Sequence, residues 1–239
     1  MWTCRIRGLA LCGMLLFAGQ AAPAWAADDP FEDTNRWIHG FNRAVQTMVL
    51  NPLVEAYHAV APERLRLGIG NAMTNLAEPM TAVTGLFAGR FELAANAVTR
   101  FGINSTIGIV GIHDRASEMG YPRQRFTAAD TLCSWGVPSG PFLVLPLLGP
   151  SSLRDAGARI GVALALSEVL GSEPVLAFAG SEAFVGYAQI HDEVRRVEAD
   201  SLDPYAVYRS AYRQQRAAMC ETDRQVLMAG AEEDESDTR

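Results

Sequence analysis

The sequence predicts an all-α protein, and three observations carry that reading. Apolar residues recur every three to four positions in one segment after another, the spacing that lines one face of an α-helix. No segment alternates apolar and polar residues with the period a half-buried strand requires, and no glycine-rich loop separates a strand-like run from a helix-like one. Prolines and glycines fall between the periodic segments, where they end helices or turn the chain.

Residues 1–26 read as a signal peptide rather than as structure. Arg5 and Arg7 supply a basic start, residues 9–18 an apolar run, and Ala24, Trp25 and Ala26 a small-x-small cleavage pattern. Removing them takes away two Arg and no acid, so the formal charge moves from −7 to −9. An acidic exported chain lacks the basic footprint of a nucleic-acid binder. All 20 basic residues are Arg, the fork-shaped donor suited to phosphate oxygens. Of the 4 cysteines, Cys133 and Cys220 remain after cleavage, and an oxidising compartment permits a disulfide between them without requiring it. The remaining 27–220 reads as one helical domain, followed by an acidic stretch, 221–239, expected to be disordered.

Asp29, Pro30 and Glu32 read as the cap, first position and back-reaching acid of the first helix. Trp37, Ile38, Phe41, Val45 and Met48 form its apolar face, against a core or a membrane, and Arg36, His39, Asn42, Arg43 and Gln46 its polar face. Asn51 and Pro52 are expected to end it, with Leu53, Ala56, Tyr57 and Val60 forming a second stripe. Ile69, Met73 and Leu76 mark another helix up to Pro79, which is expected to open the next, with Met80, Val83 and Phe87. After a turn at 85–89 come Phe91, Ala94, Val98 and Phe101, and an uncharged span at 101–112. Residues 157–170 and 174–190 read as apolar helices too short to span a bilayer with confidence. Asp203 and Pro204 start a last helix, on which Tyr205, Tyr208 and Tyr212 lie beside Arg209, Arg213 and Arg216. Such a strip suits a membrane–water boundary or a phosphate-bearing ligand, and equally a solvated helix with a tyrosine-packed inner face.

Residues 135–155 carry no charge until Arg154, yet Pro138, Pro141, Pro146 and Pro150 forbid a straight helix through them. An apolar run so broken either lines a cavity or is a buried loop, and both readings stand.

The sequence carries no convincing catalytic signature. His39, His58, His113 and His191 show no metal-ligand spacing, and the chain has no Cys-x-x-Cys. Gly149, Pro150, Ser151 and Ser152 only approach a nucleophile elbow, which Pro150 distorts; a lipid hydrolase using Ser151 or Ser152 with His113 is the weakest reading. Asp114, Arg154 and Asp155 are the polar residues in apolar surroundings, and a buried ion pair between Asp114 and Arg154 is the expectation. Neither a cofactor nor an enzymatic reaction is expected.

Seven short elements occur in order over about 29–216. They are Asp29, Pro30, Glu32, Asn35 and Arg36 with Phe41 and Asn42; Asn75, Leu76 and Pro79; Arg100, Phe101, Asn104, Ser105, Thr106 and Gly108; Gly111 and Asp114; Trp135, Gly136, Val137, Gly140 and Pro141; Leu145, Pro146, Gly149, Pro150, Ser151, Arg154 and Asp155; and Asp203, Pro204 and Tyr205. Together they resemble the MlaA family, also called VacJ, of outer-membrane phospholipid-transport proteins.

The resemblance implies a helical ring lying monotopically in the periplasmic leaflet of the outer membrane. Its central amphipathic channel would draw phospholipid from the outer leaflet. The implied partners are phospholipid, a trimeric outer-membrane porin and a soluble periplasmic lipid carrier. From the placement of glycine and proline, 136–141 is expected to form a hairpin lid, with Gly136, Pro138, Gly140 and Pro141 shaping it and 142–148, Phe142, Leu143 and Leu145 among them, against lipid chains. Arg195, Arg196, Arg209 and Arg213 are the expected head-group contacts. Two departures stand out: Cys12 follows Leu11 near the start of the apolar run, so the acyl anchor usual in the family is not expected, and a Phe-Gly-Gln-Thr-Leu-Gly element is here 128–133, ending on Cys133. The alternative is a soluble periplasmic lipid-binding or scaffold protein without a channel.

Overall fold

The computed structural model describes residues 29–237, with side chains to residue 221. The signal peptide and Cys12 therefore lie outside the described residues. The helices are α1 (Glu32–Val45), α2 (Asn51–Val60), α3 (Glu63–Phe87), α4 (Phe91–Thr106), α5 (Arg115–Glu118), α6 (Ala128–Ser134), α7 (Leu153–Leu170), α8 (Ser172–Asp200) and α9 (Pro204–Asp237). Strands β1 (Phe142–Leu145) and β2 (Gly149–Ser152) pair antiparallel between α6 and α7. The chain is thus mostly helical, with one small hairpin that no period-two pattern announced.

Several boundaries move for identifiable reasons. Asp29 does not cap α1 directly: Phe31 occupies the cap position, while the Asp29 carboxylate accepts the Phe31 N–H at 3.2 Å and the Asn35 side-chain amide at 2.9 Å. Asn51 and Pro52 do not end the helix. A π-helical turn, Gln46–Leu50, passes the chain into α2, the Asn51 N–H reaching back to the Gln46 carbonyl, and Pro52 falls in the first turn of α2, where its missing N–H is tolerated. Pro79 lies inside α3 rather than opening a new helix. Buried Gly85 faces α4 past the proline: a Cβ there would stand 2.8 Å from Leu93 Cδ2 and 3.4 Å from the Ala94 nitrogen, so any larger residue would press on that contact. The last helix continues to Asp237, through the stretch expected to be disordered.

Burial is inverted relative to an ordinary soluble domain. On α1 the buried residues are Asn35 and Asn42, whereas Trp37 is 73% exposed and Phe41 lies open beside it, the two rings stacked at 6.5 Å. Met48, Val60, Phe87, Phe91, Val169 and Leu176 are also exposed, while Asn75, Glu78, Arg100, Asn104, Asp130 and Arg154 are buried. Apolar side chains that do go inside are mostly alanines, with two small clusters: Ala88, Leu93 and Phe126, and Phe142, Val144 and Tyr205. Among the described residues no helix is long and apolar enough to cross a membrane. A disulfide joins Cys133 on α6 to Cys220 on α9, their Cα atoms 5.7 Å apart.

Candidate functional site

The hairpin is the feature that the rest of the interior holds in place. Its register pairs Phe142 with Ser152, Leu143 with Ser151, Val144 with Pro150 and Leu145 with Gly149. The expected lid at 136–141 is therefore displaced: the hairpin comprises the two strands, and 136–141 is the loop leading into it. Gly136 and Gly140 turn that loop at φ 82° and 69°. Its carbonyls are then taken up by the start of α7, Pro141 accepting the Leu153 N–H at 3.1 Å, Ser139 the Arg154 N–H at 3.0 Å and Val137 the Arg154 Nη1 at 3.1 Å. Backbone so tied is a root, and the opposite end is the turn at Leu147 and Leu148, both exposed. Phe142 does not face outward. It is buried against Tyr205 and Tyr212, ring centroids 6.2 and 5.8 Å away, with Val144 buried beside it and Leu143 and Leu145 half-buried.

The outer edge of β1 is finished by side chains. Asn35 donates to the Phe142 carbonyl at 3.1 Å and accepts the Val144 N–H at 2.8 Å; seven residues on, Asn42 donates to the Leu145 carbonyl at 2.9 Å and accepts the Leu147 N–H at 2.7 Å. Seven residues are two helical turns, so both amides leave one side of α1 and meet the strand as a partner strand would. An asparagine side chain presents one acceptor and a two-hydrogen donor, which is what an open strand edge asks for.

Below the hairpin lies a polar seam. Asp155 accepts from Arg154 Nε at 2.8 Å and from the Tyr212 hydroxyl at 2.5 Å, and Arg216 Nε stands 2.8 Å from it. Arg216 also donates to Asp130 at 2.5 Å, the same carboxylate that closes the Thr127 capping box. Burial acts to raise the Asp155 pKa, but the Tyr212 bond and the two guanidinium groups outweigh it and hold the carboxyl below its ordinary value. Burial and the Asp155 partner push the Tyr212 phenol up to about 12.

A second buried cluster centres on Arg100, which is 1% exposed. It donates to Glu78 at 2.6 Å, to Ser117 at 3.0 Å, to the Tyr121 carbonyl at 2.6 Å and to Asp114 at 3.2 Å. Asp114 and Arg154 thus do not pair with each other: each has its own partner, Arg100 and Asp155. Arg100, Asp130, Arg216 and the two asparagines were not anticipated as site residues. The signal available for the asparagines was their spacing of seven on a helix whose other face is apolar.

The four expected head-group arginines are not gathered. Arg195 pairs with Glu55 and Arg196 with Glu193, all four exposed. Arg209 pairs with Glu32 at 3.2 Å, near Asp29, and lies over the Tyr205 ring; Arg213, one turn further along α9, is half-buried. Ser152 caps α7 by accepting the Asp155 N–H, and Ser151 donates to the Ser152 carbonyl, so both hydroxyls are engaged locally.

Comparison with known proteins adds a family. The model of the family described as MlaA lipoprotein matches residues 27–219. A Shigella flexneri protein named intermembrane phospholipid transport system lipoprotein MlaA is 30% identical over 87% of this chain and 85% of its own. The Escherichia coli protein of the same name is 29% identical over the same shares. A solved structure from work on the structural basis for maintenance of bacterial outer membrane lipid asymmetry superposes with a TM-score of 0.70 at 28% identity, covering 81% of this chain and 99% of the other.

Proposed function

The chain belongs to the MlaA lipoprotein family, and from that premise we propose that it transports phospholipid at the outer membrane without making or breaking a bond. It lies in the periplasmic leaflet and draws outer-leaflet phospholipid through a polar-walled channel beside the hairpin. The partners implied by family resemblance are a trimeric porin beside it and a soluble periplasmic carrier that receives the lipid. The relatives named for intermembrane phospholipid transport support the activity.

The inverted burial is the observation that carries this reading. Trp37, Met48, Val60, Phe87 and Val169 face outward while Asn, Arg, Asp and Glu side chains fill the interior. In water such a surface is costly; against lipid tails it is the favourable one, and helices without a spanning run then lie in the plane of the leaflet. The hairpin is the movable part: its tip is apolar and exposed, its outer edge is closed by the side chains of Asn35 and Asn42 rather than by a neighbouring strand, and Gly136, Pro138, Gly140 and Pro141 form its root. Arg209 and Arg213, on the tyrosine-lined helix, are the head-group contacts best supported by their surroundings.

Gly140→Leu tests the gate. Gly140 has φ 69°, and a Cβ there would stand 3.1 Å from Leu153 Cβ, so the root must shift. Cells carrying the variant are expected to change their outer-leaflet phospholipid content. Unchanged content would remove the gate, and a mature protein that washes from outer membranes with salt alone would remove the embedded reading altogether.

A further inference from the structure

The stretch of α9 from Tyr212 to Cys220 is tied to the base of the hairpin at three successive turns. Tyr212 donates to Asp155 at 2.5 Å. Arg216 stands 2.8 Å from Asp155 on α7 and 2.5 Å from Asp130 on α6, and Cys220 is bonded to Cys133 on α6. A spacing of four puts all three on one helical face. The root of the hairpin springs from the same place. The Gly136 N–H donates to the Cys133 carbonyl at 2.9 Å and the Val137 N–H to the Leu132 carbonyl at 2.9 Å. The Val137 carbonyl in turn accepts from Arg154, the partner of Asp155. Along the same helix Tyr205 and Tyr212 both pack on the Phe142 ring, so α9 backs β1 as well as its root. Of these ties only the disulfide is covalent. Cys133 is 2% exposed and Cys220 half-buried, so an external thiolate meets Cys220 first.

We propose that α9 is a redox-sensitive strap: the Cys133–Cys220 bond keeps Tyr212 and Arg216 on Asp155 and the hairpin seated, and its reduction lets that end of α9 lift and the root move. The inference rests on the phospholipid reading above and gives its gate a regulator. The chemistry is thiol–disulfide exchange with a dithiol reductant. One thiolate of the reductant attacks Cys220 Sγ, the Cys133–Cys220 bond breaks, and Cys133 leaves as a thiolate that takes up a proton. The second thiolate then closes on the first sulfur and releases Cys220, so two electrons reach the cysteines and the reductant ends as a disulfide. Tyr212 and Arg216 keep their acceptors afterwards, but without the tether that held them at high effective concentration. Reduction therefore shifts an equilibrium between seated and lifted α9 rather than detaching the helix.

Hydrogen–deuterium exchange of the mature chain in detergent, with and without dithiothreitol, tests the strap at labelling times too short for global unfolding. Reduction is expected to speed exchange over 135–145 about tenfold while α4 changes little. Cys133→Ala with Cys220→Ala should show the fast pattern without reductant and respond no further to it, and oxidised glutathione should restore the slow pattern in the wild type alone. In vesicles, the reduced wild type should move a fluorescent phospholipid between leaflets about tenfold faster than the oxidised form, read by back-extraction with albumin. Exchange at 135–145 unmoved by reduction, or raised no more than in α4, overturns the inference. Lipid movement that is measurable and equal in the two redox states overturns it too, while leaving transport intact. Lipid movement in neither state overturns the transport reading instead, and the exchange pattern then decides the strap by itself.

Discussion

Asn42 accepts the backbone N–H of Leu147 at 2.7 Å, and Leu147 sits at φ 64°, a left-handed conformation that a leucine adopts only when held. Replacing Asn42 by Ala removes that bond and the donor to Leu145, leaving strand groups without partners at a cost of about 1–3 kcal/mol. Hydrogen–deuterium exchange of 145–148 should then accelerate well ahead of the rest of the chain. Exchange that stays at the wild-type rate would mean the hairpin does not depend on α1.

The disulfide predicts a redox-dependent stability. Cys133 and Cys220 are 87 residues apart in sequence, so cross-linking them removes substantial freedom from the unfolded chain. Cys133→Ser with Cys220→Ser should lose about 2–5 kcal/mol in unfolding and become insensitive to reductant, while the wild type in reductant should fall to the variant's level. Wild-type melting that ignores reductant would show the bond to be dispensable. Because Arg216 and Asp130 join the same two helices, part of the clamp should survive.

Stability should also decline in acid, and the direction follows from two carboxyls. Burial works against the charged form of Asp155 and of Asp114, yet the Tyr212 and arginine contacts of one, and the Ser117, Asn104 and Arg100 contacts of the other, hold both below the ordinary value of 3.8. A depressed folded value contributes stability that is complete above the unfolded pKa and is lost as pH falls through the folded one. The loss is therefore expected from around pH 4 downward. Denaturant midpoints against pH should show it, and Asp155→Asn should be less stable at neutral pH with a flatter acid limb. A variant whose acid limb matches the wild type would exclude Asp155 as a source.

The helices were legible because apolar periodicity survives whichever solvent the apolar face meets. For the same reason the sequence could not say which way α1 turns: Trp37 and Met48 form an equally good stripe whether they face a core or lipid. The hairpin was hidden because β1 is short and both its faces are partly covered, so it lacks alternation, and its edge is completed by Asn35 and Asn42, 103 to 109 residues away in sequence. The expected Asp114–Arg154 pair misassigned partners because Arg100, inside an apparently ordinary helix, was not recognised as buried.

The loop after α4 combines two unfavourable features in the same residues, which makes it the most direct probe of the surroundings. Ile109 and Val110 adopt φ 56° and 57°, and Gly111 follows at φ 89° with no room for a Cβ, which would lie 2.6 Å from Asn75 Cβ. Left-handed backbone costs a β-branched residue about 1–2 kcal/mol, yet these two side chains are also left 59% and 69% exposed. A soluble protein gains nothing from that combination; one that lies in a leaflet gains apolar contact with the lipid chains. Val110→Gly should therefore raise the unfolding free energy in solution by about 0.5–1 kcal/mol, the relieved strain less the added freedom of the unfolded chain. The same change should lower partitioning into phospholipid vesicles by about tenfold, since a valine side chain no longer enters the lipid. Opposite signs in the two measurements identify the loop as a lipid contact. Vesicle binding that is unchanged by Val110→Gly would leave the exposed Ile109 and Val110 without that explanation.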